Sequence, residues 1–130
     1  MADIPLWQLP ARDLAALTRS RQISATEATS AALDRMHAVN PGLNAVVVDL
    51  TPQALERARA LDAAGTPRGP LHGVPVTIKI NVDQEGQATS NGVPALKDWI
   101  APRDAPLVRH LLDAGAVVIG RTNTPEFSYR

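Results

Sequence analysis

At 130 residues the chain suffices for one small domain, and 13 basic against 13 acidic residues leave no net charge to draw it to nucleic acid or another polyanion. Its hydrophobic share is 45%, mostly Ala and Val with only 3% aromatics, which suits a closely packed, layered α/β arrangement. The absence of cysteine excludes disulfides, a zinc-thiolate site and a cysteine nucleophile.

The N-terminus, Met1-Ala2-Asp3-Ile4-Pro5, has neither the basic region nor the apolar core of a signal peptide. No apolar run approaches the ~20 residues of a membrane helix. A cytoplasmic protein is expected, with no membrane partner.

Ala11 to Arg19 reads as a helix with Leu14 and Leu17 on one side. Ser24-Ala25-Thr26-Glu27 is a capping box, in which serine and glutamate each satisfy a free backbone N–H. Behind it Ala25, Ala28, Ala32, Met36 and Val39 recur at helical spacing, and Asn40-Pro41-Gly42 is expected to end the helix. Ala45 to Val48 reads as a strand. Thr51 is the expected N-cap of the next helix, with Pro52 at its first position, an inner face of Ala54, Leu55, Ala58 and Leu61, and Gly65 as its stop. Val74 to Ile80 predicts a second strand. Asp104 is expected to cap a helix with the face Leu107, Val108, Leu111 and Leu112, stopped by Gly115. Ala116 to Ile119 is a third strand, apolar throughout, as when helices cover both faces of a parallel sheet. Strands alternating with helices give α/β.

Two stretches do not fit a complete small domain. Asn81 to Arg103 has little periodicity and exceeds the ~12–15 residues at which unstructured loops become uncommon, so it is expected beside a functional site. Thr124-Pro125-Glu126 is a helix start, with Thr124 as N-cap, only a few residues before Arg130. A start signal there implies further sequence beyond.

Lys79 is the foremost candidate for chemistry. It lies near the carboxyl end of a strand otherwise made of Val74, Val76, Ile78 and Ile80, where open α/β sheets place ligands. A lysine desolvated among apolar neighbours loses affinity for its proton and can act as a base. From the residues alone the commoner reading is an ordinary strand-end lysine with its head in water. His37 and His110 fall within helices without metal-ligand partners, and His72 sits in a turn between Pro70 and Gly73; all three read as structural or surface residues. Ser90 and Ser128 lack a Gly-x-Ser-x-Gly elbow. Asp83 and Glu85 could bind a cation, but no further ligand joins them, and no phosphate loop is present.

Gly69-Pro70-Leu71-His72-Gly73-Val74-Pro75-Val76-Thr77-Ile78-Lys79-Ile80-Asn81-Val82-Asp83 resembles the lysine block of the amidase signature family. Ala105-Pro106 with Val108, then Leu112 through Gly120-Arg121-Thr122-Asn123-Thr124-Pro125-Glu126-Phe127, resembles the block that follows it. Order and approximate spacing agree, and the leading helices are similar too. The resemblance implies residues 1–130 as the front of a single domain with N-terminal helices and a helix-covered mixed sheet.

It also implies a Ser–Ser–Lys triad whose bridging serine follows a cis peptide bond. The lysine draws a proton through the bridging serine, the second serine attacks an amide carbonyl, and water releases the acyl-enzyme. Lys79 matches the family lysine. Both serines belong to a downstream Gly/Ser-rich segment that no pair of serines after Lys79 matches, so these residues alone are expected to be inactive. The family usually has an aspartate directly after the lysine; here it is Ile80, while Asn81 and Asp83 keep the pattern. The implied partner is a small-molecule amide, with no cofactor, no metal and no direct nucleic-acid contact; a homo-oligomer stays open. Two other readings compete. One is the glutamine-hydrolysing component of an amidotransferase that passes ammonia to charged tRNA through partner subunits. The other is a stand-alone, non-catalytic binding or assembly piece.

Overall fold

A computed structural model describes residues 4–129. Helix α1 spans Ala11–Arg19 and α2 spans Ala25–Leu43. Strand β1 (Val46–Asp49) leads into α3 (Thr51–Ala63), then β2 (Pro75–Lys79), α4 (Pro106–Asp113) and β3 (Val117–Thr122). The three strands form one mixed sheet in the order β1-β3-β2, with β3 antiparallel to β1 and parallel to β2.

The centre of the sheet explains the layering. Val117 and Ile119 of β3 join Leu33 and Met36 of α2 and Ala54, Ala58 and Leu61 of α3 in one core. Val118 points the other way, to Ile78, Leu50 and Val108 of α4. Alternating side chains thus feed two cores, which is why the run is apolar at every position. The strand runs on to Thr122, past its apolar part, because Gly120 and Arg121 still pair on both sides. A Cβ at Gly120 would lie 2.6 Å from Val46 Cγ1, so glycine is what lets β1 come close.

Local signals fix the ends of most elements. The capping box of α2 forms as read: Glu27 N–H donates to Ser24 Oγ and Ser24 N–H to the Glu27 carboxylate. Asp62 adds to it from α3, accepting from the N–H groups of Ala25 and Thr26. Gly115 takes φ +94° after α4, the left-handed stop expected of it.

Several expectations fail, each for an identifiable reason. Helix α2 does not stop at Asn40; Pro41 lies inside its last turn and Asn44 ends it in the left-handed conformation. Asn40 makes this tolerable, since its Oδ1 accepts from Ala45 and Val46 N–H while its Nδ2 donates to the Val46 carbonyl. Thr51 is the first residue of α3, and the capping oxygen is Asp49 Oδ1, 2.8 Å from Thr51 N. Asp104 does not cap α4 either: its carboxylate accepts from Glu85 N–H at 2.8 Å, and Ala105 stands at the cap. Leu107, expected on the inner face of α4, is 57% exposed.

Candidate active site

Strands β2 and β3 run parallel, so their carboxyl ends reach one edge of the sheet, where α/β folds bind ligands. Lys79 is the last residue of β2 and pairs with Thr122. Its carbonyl accepts from Val82 N–H at 3.0 Å, and Ile80 N–H donates to the Thr122 carbonyl at 2.9 Å. The lysine side chain is exposed, as the plainer reading of a strand-end lysine with its head in water has it. Strand alternation is the reason: Ile78 and Ile80 are 3% and 8% exposed, so the residue between them faces outward. Ile80, in place of the family aspartate, therefore fills an apolar position on the opposite side from the amine.

The segment after β3 folds back beside this edge. Asn81 Nδ2 donates to Ser128 Oγ at 3.1 Å, and the hydroxyls of Thr124 and Ser128 lie 3.3 Å apart. Ser128 is thus bonded to a residue two positions from the candidate lysine. The helix expected from Thr124 is, among the described residues, a single 3-10 turn, Glu126–Ser128. Phe127 and Ser128 take φ of 45° and 61°, and Phe127 N–H is bound by the Asn91 carbonyl at 2.8 Å. Thr124 consequently contacts the Pro125 carbonyl instead of capping an N–H.

Asn81 to Arg103 is more ordered than its sequence promises. Gly86 N–H donates to Ala101 O, Ala101 N–H to Gln87 O and Thr89 N–H to Trp99 O, and Pro94–Leu96 forms a short 3-10 turn. The segment lines an open cavity of about 510 Å³ with Asn81, Val82 and Asp83 on one side and Thr89, Asn91 and Trp99 among the other lining residues.

The remaining candidates lie elsewhere or are already engaged. His72 is buried ahead of β2, at the opposite end of that strand from Lys79, with Nδ1 accepting from Arg68 N–H. Burial pushes its imidazole below the usual range; Asp62 opposes this and Arg21 adds to it. A polar cavity of about 320 Å³ beside it is lined by Arg21, Glu27 and Asp62, groups committed to holding the start of α2 and the Gly65 turn. His37 Nε2 lies 2.8 Å from the Asp49 carboxylate on the surface, and His110 is exposed on α4. Ser90 Oγ accepts from Gly92 N–H within its own turn. Asp83 and Glu85 form no group of three potential metal ligands among the described residues.

Arg121 carries no role in the sequence reading, yet among the described residues it is the largest fully buried side chain. Its guanidinium donates to the Ala88 and Val82 carbonyls, both at 2.6 Å. Burial lowers its pKa, against the opposing pull of Asp83. A cation placed shortly after four apolar residues of a central strand was the available signal, because such a charge must be bonded internally.

The fold is a mixed α/β layer with a lysine where two parallel strands end. The family model described as Amidase matches residues 27–130, and the chain belongs to that family. It is 63% identical over 129 residues to an indoleacetamide hydrolase of Bradyrhizobium diazoefficiens, covering 97% of this chain and 25% of that protein. It is 44% identical over 126 residues to the A component of the glutamyl-tRNA(Gln) amidotransferase of Moorella thermoacetica, covering 95% and 26%. The solved peptide amidase of Stenotrophomonas maltophilia superposes with a TM-score of 0.84 at 41% identity, over 95% of this chain and 26% of that one. The chain thus spans about a quarter of the length of these relatives. No helix among the described residues is long and apolar enough to cross a membrane.

Proposed function

We propose that this chain is the front part of an amidase that hydrolyses a carboxylic amide to acid and ammonia or amine, with Lys79 as its base. The observation that carries the reading is the placement of Lys79 at the carboxyl end of β2, within the matched family region. Its amine takes the proton of a bridging serine as that serine takes the proton of the nucleophilic serine. The nucleophilic oxygen attacks the amide carbonyl, the leaving nitrogen receives the proton, and an acyl ester remains. Water, deprotonated along the same path, then releases the acid. The two serines of this reading are those that the family resemblance implies, and no pair of serines after Lys79 matches them. The 130 residues alone have no turnover, and the complete enzyme acts in the cytoplasm.

The identity with an indoleacetamide hydrolase supports an aryl-acetamide as substrate. The similarity to an amidotransferase component favours a second reading, glutamine hydrolysis that depends on partner subunits. The protein encoded by the complete reading frame is to be assayed for ammonia release from indole-3-acetamide and from glutamine. Turnover of the aryl-acetamide without any partner is expected; ammonia released solely from glutamine, and solely with partner subunits, would replace the first reading by the second.

A further inference from the structure

We propose that Arg121 is a positioning residue, which sets the turn leaving Lys79 and holds the wall of the neighbouring cavity. The proposal rests on the amidase reading above and adds to it a residue buried on the far side of the ladder from the lysine. Arg121 sits in the central strand, paired with Ile78 on β2 and Val48 on β1, and is 0% exposed. No carboxylate among the described residues forms an ion pair with it, and its Nε has no hydrogen-bond partner among them. A buried cation is costly, and an apolar side chain of similar length would fill the same volume without that cost. What the guanidinium does that such a side chain cannot is hold two separate carbonyls at once.

Those two carbonyls have consequences at the site. Val82 N–H donates to the Lys79 carbonyl at 3.0 Å, while the Val82 carbonyl is held by Arg121 at 2.6 Å. The turn that carries the chain away from Lys79 is therefore pinned from β3. The second anchor, Ala88, pairs with Ile100 as an isolated bridge and precedes Thr89, whose N–H donates to the Trp99 carbonyl. One side chain thus holds the first limb of the irregular segment at two points, and through the backbone pairing of Ala88 and Thr89 with Ile100 and Trp99 it steadies the residues that face the cavity of about 510 Å³. An error of about 1 Å in a catalytic group can cost about 100-fold in rate, so a pinned turn beside the base matters to turnover.

The test compares the complete wild-type enzyme with Arg121→Met, Arg121→Lys and Lys79→Ala, measuring amide hydrogen exchange by peptide and kcat and KM on the amide that the enzyme turns over. With Arg121→Met, exchange should rise at least ~10-fold in peptides covering residues 82–101 and stay within about twofold in α2 and α3. The kcat should fall at least ~10-fold with KM changed less than about threefold, because the base is misplaced and not the binding surface. Arg121→Lys keeps the charge and can reach one carbonyl, so it should recover part of both losses. Should the methionine variant fail to fold, the lysine variant alone still has to show raised exchange in 82–101 and lowered kcat. Wild-type exchange in that segment, or raised exchange with an unchanged kcat, overturns the proposal. If Lys79→Ala keeps turnover, the amidase reading falls and the positioning role with it. If Lys79→Ala abolishes turnover while Arg121→Met does not lower kcat, the positioning proposal alone falls.

Discussion

His72 shows how a residue type suggestive of catalysis can be tied up in structure. Its Nδ1 accepts from Arg68 N–H and its carbonyl accepts from the Thr18 hydroxyl, so ring and backbone together join the turn before β2 to α1. Burial lowers its pKa in the folded state, so the unfolded chain takes up a proton more readily. The stabilisation is complete above the ~6.5 of an unfolded imidazole and is lost as pH falls from there through the folded value. We predict that His72→Asn, which can keep an acceptor near Nδ1 but cannot titrate, flattens the fall in Tm between about pH 7.5 and about pH 5.5. Equal slopes in the two proteins would remove His72 as the source. At this scale the sequence was a good guide where chemistry is local and a poor one where it is not. Lys79 stood out because it interrupts an apolar strand. Its exposure was legible too, because it alternates with the apolar Ile78 and Ile80, which are buried. The place of Arg121 after an apolar run signals an internally bonded charge, but its partners, Val82 and Ala88, are far from it along the chain and have no local signature.

Among the elements, the signals that worked were those completed within a few residues: the Ser24 capping box, the Gly115 stop and the apolar run of β3. Two of those that failed involve side chains reaching outside their own segment. Asp104 reads as a helix cap yet bonds Glu85 across the irregular loop, and Asn40-Pro41-Gly42 reads as a stop yet lies within α2. The second case yields a measurement. Asn40 holds two N–H groups and one carbonyl at the start of β1. Asn40→Ala strips partners from this half-buried junction and should cost about 1–3 kcal/mol in denaturant unfolding. A change within about 0.5 kcal/mol, the range of an ordinary surface substitution, would show that solvent satisfies these groups equally well.

Taken whole, the molecule has a well-made centre and open margins. The α/β class followed from alternating strands and helices and the mixed sheet from the family resemblance, but that β1 is the antiparallel strand did not, because pairing partners are chosen by tertiary packing. Both outer strands have an unpaired edge within the described sheet, and Leu43, Phe127 and Tyr129 are 67%, 57% and 83% exposed. Such margins invite association. The 130-residue chain by itself should therefore self-associate as its concentration rises and should lack a clean urea transition. A monodisperse monomer unfolding in one cooperative step, with a slope normal for its size, would contradict this and favour a stand-alone protein.

The central claim is that Lys79 is the base of an amidase, and kcat/KM for amide hydrolysis by the complete enzyme with Lys79→Arg tests it most directly. Arginine keeps the length and the positive charge but cannot give up its proton. The account predicts a loss of at least ~100-fold, as for removal of a general base, with the fold unchanged by circular dichroism. Turnover within a few-fold of wild type in the arginine variant would contradict it.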